Sequence, residues 1–146
     1  MAKEISPESA QIADQLHSLA IHLLRKLRRE DESSGLNAPR LSALSVIVFG
    51  GPLTLGDLAA AEQVRPPTMT RIVSALEAKG LVKKKASTED RRTIHLSATM
   101  KGKRLLLQAR NRRVQTLAHQ IRLLPSHDQK NLHAAIAILN NLTRAL

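Results

Sequence analysis

The sequence predicts a mainly α-helical fold carrying one small β-hairpin, and three observations predict it. Six prolines, Pro7, Pro39, Pro52, Pro66, Pro67 and Pro125, divide the chain at points that suit helix starts, because proline is tolerated in a first helical turn and damaging further in. Between them leucine and isoleucine recur in alternating steps of three and four, the period of a helix with one apolar face. Residues 79–103, KGLVKKKASTEDRRTIHLSATMKGK, instead offer two short runs of period two separated by polar residues, which is the pattern of paired strands.

Each element follows in order. The first helix is predicted from about residue 7 to 29, with Ser6 as N-cap, Pro7 in the first turn and a heptad-like stripe of Ile12, Leu16, Leu19, Leu23 and Leu27. The polar EDESSGLN, residues 30–37, breaks that period and reads as a loop. A second helix over 39–49 carries Leu41, Leu44, Val48 and Phe49, and Gly50 and Gly51 stop it. Thr54, with Asp57 three residues on, has the spacing of a capping box for a third helix over 55–62 that turns Leu55, Leu58 and Ala59 inward. A fourth helix over 66–78 closes at Gly80, and residues 81–85 and 92–97 pair as the hairpin. A long helix over 99–123 spaces Leu107, Arg110, Val114, Leu117, Ile121 and Leu124 by threes and fours. The last, over 127–145, aligns Leu132, Ile136, Leu139 and Leu142 behind Ser126 and Gln129 in capping-box spacing.

The chain therefore reads as a single domain over 1–146, with a compact basic lobe at 36–103 and long amphipathic helices at 5–34 and 104–146. The terminal stripes exceed what so small a lobe can cover, so Ile12, Leu16, Leu19, Leu23, Leu117, Ile121, Leu132, Ile136, Leu139 and Leu142 are the expected homodimer surface.

A formal charge of +11 points to a polyanionic partner. Phe49 is the only aromatic residue apart from histidine, which favours duplex DNA over single strands that are usually held by stacking. The absence of cysteine excludes disulfide scaffolding, thiolate zinc sites and thiol-based peroxide sensing. No window approaches the ~18 apolar residues of a membrane span, and MAKEISPES lacks a signal peptide's apolar core, so the cytoplasm is the expected location. His17, His22, His95, His119, His127 and His133 show no ligand spacing, so no metal and no cofactor are expected. No nucleophile and base pair, phosphate-binding glycine loop or carboxylate dyad suggests an enzyme.

A short helix, a turn, a second helix and a basic hairpin make a winged helix-turn-helix, whose second helix enters the major groove. On residues 66–78, Met69, Ile72, Val73 and Leu76 share the inward face and leave Thr68, Arg71 and Ser74 outward, with Thr70 at the edge. Arginine can bond a guanine edge bidentately, and hydroxyls reach phosphates or bases. Pro66 and Pro67 remove two N–H groups from the helix start, weakening the anion site usual there, and Arg65 stands beside them to supply positive charge. Lys83, Lys84 and Lys85 close the first wing strand as further phosphate candidates.

Residues 51–103 resemble the MarR family of bacterial transcriptional regulators, through the run LxxLA…V…P…T/R…L…GL and the wing pattern DRR…LT…G. Ala98-Thr99 departs from the usual Leu-Thr, at a cost in packing at the wing base. The resemblance implies a dimer formed by the first and last helices, with Arg91 at the wing tip in the minor groove and Asp90 paired with Arg92 to orient it. It also implies a small aromatic or anionic effector between the dimer helices and the lobe, for which His17 on the first helix is a candidate contact. The expected function is a ligand-responsive repressor acting as a homodimer on a pseudo-palindromic operator. A nucleoid-type protein with little sequence preference, and a winged-helix protein-interaction module, are the alternative readings.

Overall fold

The computed structural model describes residues 5–87 and 93–146. Among them the elements run α1 (Pro7–Leu27), a 3₁₀ helix (Arg28–Ser34), α2 (Ala38–Gly50), β1 (Leu53–Thr54), α3 (Leu55–Ala61), α4 (Pro66–Ala78), β2 (Val82–Ala86), β3 (Ile94–Ala98), α5 (Met100–Arg122) and α6 (Ser126–Ala145). The sheet is antiparallel in the order β1-β3-β2, with Leu53 opposite Leu96 and Lys84 opposite Leu96 from the other side. This is a winged helix-turn-helix lobe with long helices at both chain ends.

The core lies inside the lobe. Leu44 and Ile47 of α2, Leu58 of α3, Met69, Val73 and Leu76 of α4, and Leu81 and Leu96 of the wing are essentially fully buried, each worth roughly 1.5–3 kcal/mol of transfer free energy. Leu106 and Ala109 carry α5 into the same cluster. By contrast α1 and α6 bury no residue within the chain.

The predicted N-caps of α1 and α3 form. The Ser9 N–H donates to Ser6 Oγ at 3.2 Å, and in α3 the Asp57 N–H donates to Thr54 Oγ1 at 3.1 Å while the Thr54 N–H donates to Asp57 Oδ2 at 3.1 Å. Two expectations are corrected, for residues 28–34 and for Ser126. Residues 28–34 continue as a 3₁₀ helix ended by Gly35 at φ 69°, where the polar composition suggested a loop; the reason is that Asp31 turns inward to Arg113 and gives the segment a buried anchor. Phe49 points outward, 68% exposed. Leu107 is also exposed, because α5 turns Gly102, Leu106 and Ala109 to the core instead. Finally, Ser126 is itself helical and caps nothing: Pro125 holds the cap position, and the Gln129 side-chain amide donates to the Leu124 carbonyl at 2.9 Å.

The helices α3 and α4 stop in the same way. After α3, Val64 N–H reaches Ala59 O and Gln63 N–H reaches Ala60 O; after α4, Leu81 N–H reaches Leu76 O and Gly80 N–H reaches Glu77 O. Both are Schellman closures, which place one residue in the left-handed region. Gly80 takes it at φ 69°, as glycine does at no steric cost, whereas Gln63 takes it at φ 54°.

Candidate nucleic-acid interface

The turn from Glu62 to Arg65 sets α4 across α3, and Ser42 of α2 braces it by donating its hydroxyl to Glu62 Oε1 at 2.9 Å. With Met69, Val73 and Leu76 buried, Thr68, Arg71 and Ser74 are exposed together on the opposite face. Thr70 differs from its neighbours. Its hydroxyl donates to the Pro66 carbonyl at 2.9 Å, so its proton is engaged within the helix.

The start of α4 has no amide to offer an anion. Pro66 and Pro67 carry none, and the next two, Thr68 N–H and Met69 N–H, both donate to the Arg65 carbonyl at 3.0 and 3.1 Å. The positive end of the helix is therefore without its usual donors. Arg65, exposed and making no side-chain cap bond, is the donor available there.

The lysine run of β2 is split by strand alternation. Lys84 faces α4 and its Nζ pairs with Glu77 Oε2 at 2.8 Å. Lys83 and Lys85 lie on the other face, opposite Ser97 and His95. Glu77 continues the Thr68, Arg71, Ser74 spacing, and its carboxylate would oppose a phosphate backbone; Lys84 offsets that charge. This acid was not singled out by the sequence reading, although its three-residue step from Ser74 was available. Asp90, Arg91 and Arg92 lie outside the described residues.

The wing is rooted by Thr99. Its hydroxyl donates to Gly80 O at 2.7 Å and accepts from Gly102 N–H at 3.0 Å, while its own N–H donates to Leu81 O at 3.0 Å. One residue thus joins the end of α4, the start of β2 and the start of α5. Gly102 is required beside it, since a Cβ there would stand 2.1 Å from Leu81 O.

Between the terminal helices and the lobe lies a groove of 360 Å³ bordered by Leu27, Phe49, Leu106, Arg110, Arg113 and Val114. Arg113 Nε stands 3.1 Å from Asp31 Oδ1, yet neither atom has the alignment of a hydrogen bond. His17 is exposed on α1 and borders no groove described.

A helix-turn-helix with a basic wing, its second helix presenting an uncovered polar face, defines a DNA-binding transcriptional regulator. Comparison with known proteins agrees. The MarR family model matches residues 36–94. An HTH-type transcriptional regulator of Mycobacterium tuberculosis is 32% identical over 130 residues, covering 89% of this chain and 91% of that protein. The HTH-type transcriptional repressor MdtR of Bacillus subtilis is 32% identical over 71 residues, 49% of this chain and 46% of its own. In structure, a MarR family protein from Bacillus stearothermophilus superposes with a TM-score of 0.82 at 19% identity, over 97% and 99% of the two chains. A MepR mutant of S. aureus bound to an oligodeoxyribonucleotide superposes with a TM-score of 0.69 at 17% identity, over 95% and 99%. The chain belongs to the MarR family of transcriptional regulators.

Proposed function

We propose that the protein is a repressor that acts as a homodimer on a pseudo-palindromic duplex operator, reading it with Thr68, Arg71 and Ser74 of α4. The observation that carries this reading is that face of α4: exposed, polar, and flanked by Arg65 at one end and the basic wing at the other. Support for the DNA partner comes from the oligonucleotide-bound MepR structure of the same fold, and for repression from the similarity to MdtR. Arg65, Lys83 and Lys85 supply phosphate contacts in this reading, Pro66 brings the helix start close to the backbone, and Arg91 enters the minor groove with Arg92 and Asp90 shaping the tip. Half-sites are then about one helical turn, ~34 Å, apart.

The homodimer forms through α1, α6 and the distal part of α5, where Ile12, Leu19, Leu23, Ile136, Leu139 and Leu142 are left exposed and Leu117 and Ile121 half-buried by the chain itself. An anionic effector with an aromatic or aliphatic body occupies the groove of Arg110 and Arg113, where Leu106 and Val114 give an apolar wall and Arg113 stands beside its ion-pair partner Asp31. His17 lies outside that groove.

The test is selection of bound fragments from genomic DNA followed by Arg71→Ala on the selected operator. The expected loss is roughly 1–3 kcal/mol with relaxed preference at one position of each half-site. Equal loss on every duplex would move Arg71 to a phosphate and favour the nucleoid-type alternative; no shift of any duplex at low salt would leave only the protein-interaction module.

A further inference from the structure

We propose that Ser42 is a positioning residue for DNA binding: its hydroxyl holds the Glu62 carboxylate aside and so keeps Arg65 available to a phosphate. The inference rests on the reading of Arg65 as a phosphate contact. Arg65 is the donor at the start of α4, where Pro66 and Pro67 bring no N–H and the Thr68 and Met69 amides are spent on the Arg65 carbonyl. Among the described residues its guanidinium has no ion pair. Glu62 lies three residues before it and has Arg65 as its nearest cation along the chain. Three residues span at most ~11 Å, a gap that a glutamate and an arginine side chain cover together.

The carboxylate is nevertheless turned elsewhere. Glu62 Oε1 accepts from Ser42 Oγ at 2.9 Å, across a separation of 20 residues. Ser42 is a fixed anchor, because Leu41, Ala43, Leu44 and Ile47 of the same helix are buried in the core. Three acids lie between residues 55 and 78, and every one is engaged: Asp57 by the Thr54 hydroxyl at 2.7 Å, Glu77 by Lys84 at 2.8 Å, and Glu62 by Ser42. Lys84 neutralises its partner. A serine hydroxyl does not; it only fixes where the charge points. Without that bond the Glu62 carboxylate is free to pair with Arg65, which occupies the guanidinium and sets a negative charge beside the phosphate backbone, two effects that both weaken binding. The bond is exposed, so its loss costs the fold little and its consequence falls on DNA affinity.

The experiment measures binding of the full chain to a duplex of random sequence at low salt, where phosphate contacts dominate, by fluorescence anisotropy of the labelled duplex. Ser42→Ala should weaken binding roughly three- to tenfold, the equivalent of one hydrogen bond, and flatten the dependence of log affinity on log salt by about 0.9, the share of one phosphate contact. Ser42→Thr, which keeps the hydroxyl, should bind as wild type. Glu62→Gln should bind at least as well as wild type and should restore the affinity of Ser42→Ala, since an amide has no charge to turn on Arg65. Arg65→Ala should lose affinity by a similar factor, and adding Ser42→Ala to it should change nothing further. Thermal melting checks that each variant is folded at the assay temperature. A Ser42→Ala loss that Glu62→Gln leaves unrelieved, or a loss in Glu62→Gln alone, makes the bond a structural brace and overturns the proposal. Wild-type affinity in Ser42→Ala beside a clear loss in Arg65→Ala overturns the proposal and leaves the phosphate contact standing. Wild-type affinity in Arg65→Ala overturns that contact and the role of Ser42 with it.

Discussion

Gln63 and Gly80 hold the same backbone position at the ends of the two reading helices, and only Gly80 is suited to it. A side chain in the left-handed region costs roughly 1–2 kcal/mol, against which glycine loses about 0.5–1 kcal/mol of extra chain entropy on folding. Gln63→Gly should therefore raise stability by about 0.5 kcal/mol. Gly80→Ala should lower it by about 0.5 kcal/mol on the same balance of terms, because a Cβ there meets nothing within 4 Å and adds no clash. Thermal melting of both variants at one fixed protein concentration checks the pair, and opposite signs are the expected outcome. Asp57 makes a second prediction at this scale. The Thr54 hydroxyl, then the Thr54 N–H, hold its carboxyl below the usual aspartate range, with a smaller contribution from His95 and a small opposing one from burial. A depressed folded-state value stabilises fully above the unfolded value of about 3.9 and loses that stabilisation as pH falls through the lower folded value. Asp57→Asn should thus be destabilised relative to wild type at neutral pH, with the gap narrowing in acid unfolding experiments carried below pH ~4.

At the scale of elements, β2 is held to α4 by a bond between Lys84 and Glu77 whose partners are both partly exposed. Such a pair contributes only about 0–1 kcal/mol to the fold, so its larger effect should be on the angle between wing and recognition helix. In a double-mutant cycle, Lys84→Met and Glu77→Gln should show coupling in DNA affinity that exceeds their coupling in thermal stability; equal coupling in both would reduce the bond to a surface contact. This pairing was out of reach of the sequence, where KKK reads as three equivalent cations and only the register separates them. Other elements were legible for physical reasons. Prolines at helix starts, Thr54 with Asp57, and Gly80 act through bonds to near neighbours, so spacing alone identifies them. β1 was missed because two residues have no period, and the 3₁₀ helix because its anchor, Asp31 with Arg113, spans a separation that local composition does not record. The outward face of α4 followed from the burial of Met69, Val73 and Leu76, whereas the engaged hydroxyl of Thr70 did not.

At the scale of the whole molecule, α1 and α6 present Ile12, Leu19, Ile136, Leu139 and Leu142 to solvent within the isolated chain, more apolar surface than a soluble monomer usually leaves uncovered. Sedimentation of the wild type should return twice the 16.0 kDa of the chain, and Ile136→Asp with Leu139→Asp should return the single chain with its lobe still folded, since neither residue belongs to the core cluster. A wild-type monomer at micromolar concentration would contradict the arrangement.

Thr99 ties the wing root and the end of α4 to the first turn of α5, and α5 then runs for 23 residues toward the far end of the molecule. At 1.5 Å per residue that shaft is about 34 Å long. With its distal end held, a tilt of about 5° carries the reading head ~3 Å, close to the ~3.4 Å between successive bases along a strand. A tilt of a few degrees in this shaft would therefore shift a DNA-bound reading head by about one base step along the duplex.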